Sequence, residues 1–131
     1  MATVSKFEDL EIWQLARQQA NELYLLYLKN DFSRDFSLRN QINGSSGSVM
    51  DNIAEGFERS GNKEFLQFLY ISKGSCEEFR SQLHRAIDRS YIDKDEFSML
   101  YNTAIEIIML LQKLINYLET SKIKGPKYKT R

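Results

Sequence analysis

Proline occurs once, at Pro126, so nothing between Leu10 and Glu119 is interrupted by the strongest helix breaker and long helices are free to form. Cysteine also occurs once, at Cys76, which excludes an internal disulfide framework and any multi-cysteine zinc site, and is compatible with a reducing compartment. There is one histidine, His84, and Ser81 stands three positions before it, so the Glu-x-x-His pairs of di-metal bundles are missing. Gly44-Ser45-Ser46-Gly47-Ser48 lacks the following Lys-Ser/Thr of a phosphate-binding loop and any preceding apolar strand. The sequence therefore offers no catalytic, cofactor-binding or metal-ligating set, and a non-enzyme is expected. No basic segment followed by an apolar run is present, nor about 18 uninterrupted apolar residues, so neither signal peptide nor membrane span is expected and the location expected is cytoplasmic.

What is present is helical periodicity. The chain has 131 residues, 42% hydrophobic and 27% charged, an ordinary composition for one globular domain. On a wheel of about 100° per residue, Leu10, Trp13, Ala16, Ala20, Leu23, Tyr24 and Tyr27 form a first stripe. Leu38, Ile42, Ser45, Val49, Ile53 and Gly56 form a second. Phe65, Leu69, Ser72, Cys76, Phe79, Leu83 and Ile87 form a third, and Phe97, Leu100, Ala104, Ile108, Leu111, Ile115 and Leu118 a fourth.

Turn chemistry separates the stripes. Ser60-Gly61-Asn62 offers a glycine for a left-handed residue and Asn62 as a cap for the third helix. Asp93 and Glu96 have the spacing of a capping box, and Asn30-Asp31-Phe32-Ser33 reads as a polar loop with Ser33 or Asp35 capping the second helix. Short connections favour antiparallel neighbours, so the fold class expected is all-α, an up-down-up-down four-helix bundle over residues 1–120. Residues 121–131 are expected to be a flexible basic tail.

The charge balance of zero is an average. Residues 122–131 hold Lys122, Lys124, Lys127, Lys129 and Arg131 with no acid, leaving thirteen basic against eighteen acidic side chains in the rest, a net −5. The five cations are the candidate nucleic-acid contacts, since a basic segment neutralises phosphates. Glycine inside a helix costs about 1 kcal/mol relative to alanine, and Gly44, Gly47 and Gly74 fall away from the core stripes, where bare backbone admits another chain. Leu15, Leu26, Met99, Met109, Leu110 and Tyr117 are apolar residues outside the stripes. Surplus apolar surface marks partner faces. Gly44, Gly47, Leu15, Leu26, Met109, Leu110 and Tyr117 are thus the interface candidates, and a homo-oligomer is expected.

One run is specific enough to suggest a family: Asn52-Ile53-Ala54-Glu55-Gly56, then Phe57-Glu58-Arg59, Glu64-Phe65-Leu66, Phe68-Leu69 and Gly74-Ser75. With Phe7-Glu8-Asp9-Leu10, Trp13, Gln41-Ile42 and Gln82-Leu83 it resembles the bacterial 23S rRNA intervening-sequence proteins, which include the accessory proteins of diversity-generating retroelements. The resemblance implies a four-helix bundle, ring-like pentamers and a protein partner, a reverse transcriptase where the gene sits in a retroelement. It also implies RNA-binding relatives, but the family's Gln-Ile-Arg-Arg-Ala-Ala is here Gln41-Ile42-Asn43-Gly44-Ser45-Ser46, without the two arginines, so nucleic-acid binding is expected to be weak. Asn52 and Gly56 are read as packing residues, with the Asn52 amide bridging to a neighbouring helix and Trp13 or a phenylalanine lying on Gly56.

Overall fold

A computed structural model describes residues 4–59 and 61–121. Four helices form: α1 (Glu11–Tyr27), α2 (Phe36–Glu58), α3 (Asn62–Asp88) and α4 (Lys94–Thr120), with short 3-10 turns at Phe7–Asp9 and Asn30–Arg34. The extensive pairings are α1–α2, α2–α3, α3–α4 and α1–α4, so the helices close a square in chain order with antiparallel neighbours. The expected bundle is what forms.

Three of the four helix starts have a clear physical origin. The Asp35 carboxylate accepts from the Leu38 N–H at 3.1 Å and caps α2. Asp93 and Glu96 form the full capping box of α4, each side chain accepting the other's backbone N–H. Gly61 takes φ +97, as its left-handed role requires, and is itself the N-cap of α3; Asn62 is the first helical residue rather than the expected cap, because the chain needs no further residue to turn. At the far end of α3, Ser90 has φ 60 while the N–H groups of Ser90 and Tyr91 reach back to Ile87 and Ala86, a Schellman arrangement with serine where glycine is usual.

The core is where the stripes put it in α2, whose six predicted positions are all buried. In α1 the stripe is rotated: Ile12, Ala16, Gln19, Leu23 and Leu26 face inward, while Tyr24 is half exposed and Trp13 lies at the edge against Phe7. Leu26 is therefore a core residue, not an interface candidate. In α4 Ile107 is buried in place of Ile108, and Leu15, Leu110 and Tyr117 are half-buried against the core, leaving Met109 fully outward among those candidates. The Asn30–Arg34 loop is less polar than expected, since Phe32 is completely buried and stacks on Tyr91 with centroids 5.1 Å apart. By length and apolar composition alone α4 would suffice to cross a membrane, yet Leu100, Ala104, Ile107, Leu111, Ile115 and Leu118 all face the bundle core.

Candidate interaction surfaces

The residues of the Asn52–Gly56 run divide between the α2–α3 seam and the surface. Ile53 and Gly56 point inward; a Cβ added at Gly56 would lie 2.6 Å from the Phe68 Cβ and 3.0 Å from the Phe65 Cδ1. Phenylalanines of α3 occupy the space, and Trp13 does not. Above this contact the two helices are joined by small polar groups. The Ser48 and Ser75 hydroxyls are 2.8 Å apart, the Ser72 hydroxyl donates to the Val49 carbonyl at 2.8 Å, and the Ser45 hydroxyl donates to the Gln82 amide oxygen at 2.5 Å. Asn52 does not bridge helices itself: its amide donates to the Ser48 carbonyl and hydroxyl at 2.8 and 2.9 Å, fixing the serine that does. The Asn52 amide is spent on its own helix one turn back, which leaves the crossing to the Ser48 hydroxyl. Ala54 and Glu55 face outward, with Glu55 paired to Arg59 at 3.0 Å, and Gly74 is exposed with nothing near its missing side chain.

Groups with chemical potential lie along the α3–α4 pair. Cys76 is fully buried, its thiol directed to the Ala104 carbonyl at 3.6 Å, and burial pushes its pKa up to about 12, so the nucleophilic thiolate is suppressed. Beside it the Gln19 amide is completely buried without a hydrogen-bond partner in good geometry. His84 is exposed, edge-on to Phe97 and Tyr101 at 5.1 and 5.7 Å. Arg80 pairs with Glu77 at 2.6 Å and donates to the Tyr101 hydroxyl at 2.8 Å. Among the described residues no three His, Cys, Asp or Glu side chains are placed to hold a metal ion.

One cluster has no counterpart in the stripes. The Asp35 carboxylate, besides capping α2, accepts from the Tyr91 hydroxyl and pairs with Arg89, both at 2.8 Å, tying the α1–α2 connection to the α3–α4 turn. The Leu38 N–H first, then the Tyr91 hydroxyl and Arg89, hold this carboxyl below the ordinary carboxylate range.

Two kinds of outer surface remain. The outward side of α2 carries Gly44 and Gly47 with nothing within 4 Å of an added Cβ, followed by Asp51, Ala54, Glu55 and Glu58, and open grooves run along it to Phe7. The outward sides of α1 and α4 carry exposed apolar side chains among polar ones: Leu25 is 64% and Met109 67% exposed, with Tyr24, Leu28 and Met99 also exposed. The candidate cations Lys122, Lys124, Lys127, Lys129 and Arg131 lie outside the described residues.

A comparison with curated proteins finds no match. Among solved structures, the crystal structure at 1.70 Å resolution of a protein of unknown function from the S23 ribosomal protein family of Bacteroides thetaiotaomicron shares the fold, with a TM-score of 0.73 and 23% identity over 80% of this chain and 95% of that one. The family described as 23S rRNA-intervening sequence protein matches residues 8–113. These limits take in the Asn52–Gly56 run, both sides of the α2–α3 seam and most of α4, and the chain belongs to the 23S rRNA-intervening sequence protein family.

Proposed function

We propose that this protein is a non-enzymatic, cytoplasmic helical scaffold that works as a homo-oligomer. The observation that carries the reading is the apolar surface on the outside of the closed bundle, with Leu25, Leu28 and Tyr24 on α1 and Met99 and Met109 on α4. α1 and α4 are neighbours in the square, and the exposed apolar side chains on their outward faces supply surface for a second copy. The family's ring-like pentamers fit such a heterologous contact. The burial of Cys76 supports a non-catalytic role, because the thiol is sealed in the core while His84 stands on the surface, so that among the described residues no nucleophile and base converge.

Light scattering of the purified chain tests the assembly. A mass several times 15.4 kDa is expected. The double variant Leu25→Lys, Met109→Lys should shift it toward the monomer while the helical circular dichroism is retained, since neither side chain enters the core. A parent protein that is monomeric at micromolar concentration overturns the reading.

A second reading is favoured by one sequence observation, the five cations among residues 122–131. It is a nucleic-acid accessory role in which several such segments, gathered on one oligomer, contact phosphates with avidity rather than base specificity.

A further inference from the structure

We propose that residues 122–131 dock on the outer face of the last turns of α2 in the same molecule, so that the basic segment covers an acidic groove of its own bundle. The surface is unpartnered: a groove lined by Phe7, Asp51, Ala54, Glu55, Glu58 and Arg59, with a small apolar floor at Ala54 and Phe7. From Asn40 to Glu58 helix α2 contains no basic residue. Arg59 is already used, paired to Glu55 and stacked over Phe68 at 5.3 Å, whereas Asp51 and Glu58 form no ion pair among the described residues. Its complement is the one stretch of the chain with five basic side chains and no acid.

Position and length agree with this occupant. The Tyr70 hydroxyl of α3 donates to Glu119 at 2.6 Å, and Gly56 of α2 meets Phe68 of α3, so the ends of α2 and α4 lie at the same end of the bundle. The chain leaves α4 at Ser121 on that end. α2 and α4 are diagonal in the square, roughly 14 Å apart for neighbours spaced about 8–10 Å, and ten residues reach up to roughly 33 Å. Spacing agrees as well. At about 1.5 Å rise per helical residue, Asp51, Glu55 and Glu58 follow one another at about 6 and about 4.5 Å along α2, and alternate side chains of an extended chain, such as Lys127, Lys129 and Arg131, recur at a comparable spacing of about 6.6 Å. Each pair is weak alone. Tethering to the same chain supplies an effective concentration on the order of millimolar. The docked segment hides its cations from phosphate, so any nucleic acid has to displace the protein's own carboxylates.

The inference does not depend on the assembly reading, and its test keeps the two apart. The full chain is treated with a water-soluble carbodiimide at low salt and the resulting lysine–carboxylate links are mapped by mass spectrometry, with isotopically labelled and unlabelled chains mixed. Links from Lys122, Lys124, Lys127 or Lys129 to Asp51 or Glu58 within one chain are expected, and high salt should suppress them. In Asp51→Asn, Glu58→Gln the total yield of links from these lysines should fall about five-fold, as expected for losing two exposed charge pairs, with the circular dichroism unchanged. Links that map instead to the Asp93–Glu96 end, that join labelled to unlabelled chains, or whose total yield is unaffected by the double variant would each overturn it.

Discussion

At Gly56 the cost of a glycine inside a helix is set against a contact no other residue allows. Alanine there would gain about 1 kcal/mol of helix propensity but put its Cβ 2.6 Å from the Phe68 Cβ, backbone-proximal atoms that do not swing aside. Overpacking costs about 1–3 kcal/mol, so Gly56→Ala should be net destabilising by about 1 kcal/mol. Gly74→Ala meets nothing within 4 Å and should stabilise by up to about 1 kcal/mol. Urea midpoints of the two variants should therefore move in opposite directions, and a shift in the same direction would refute the packing role of Gly56. This residue was legible in the sequence because it fell on an unambiguous stripe. Gln19 was not: a glutamine counts as surface in any polarity pattern, and discounting it turned the α1 stripe toward Trp13, Tyr24 and Tyr27, large rings with polar ends that sit at the rim of the core.

Among the elements, the two connections at the Asp35 end carry a device that periodicity does not show. Asp35 and its partners Arg89 and Tyr91 are 54 and 56 residues apart, so no local spacing announces them; only the cap on Leu38 was readable. The helices themselves were readable because turn residues and capping spacing are local, as at Gly61 and at Asp93 with Glu96. The folded protein holds the Asp35 carboxyl below its ordinary value of 3.8. A depressed native pKa contributes stability that is fully present above the unfolded value and is lost as pH falls through the native one. Asp35→Asn keeps a capping side chain but removes the charge. The variant should be less stable than the parent at pH 7, and the gap should narrow below about pH 4. Denaturant midpoints at pH 7, 5 and 3 check this, and a gap independent of pH would show that the carboxylate charge contributes nothing.

For the molecule as a whole, the separation of a net −5 body from a +5 terminal segment makes salt the natural probe of the nucleic-acid reading. Each phosphate neutralised contributes about −0.9 to the slope of log affinity against log salt for duplex DNA, so five engaged cations give a slope of about −4.5. Ending the chain after Ser121 should remove most of that slope and leave the assembly intact, because the bundle core built by the described residues precedes it. Binding that stays tight after this deletion in gel-shift titrations would move the contact to the bundle surface. Architecture was almost wholly legible at this scale, since four stripes with short joints have few ways to close. The use of the outer faces was not, because a helix pattern separates inside from outside without saying what the outside meets. The antiparallel square also places α1 and α4 side by side, with the start of α1 near the end of α4. The order of the helices along the chain is therefore not essential to their arrangement: a short linker across those ends, with a new opening at the exposed Ser90 turn, would give the order α4-α1-α2-α3 with every seam preserved.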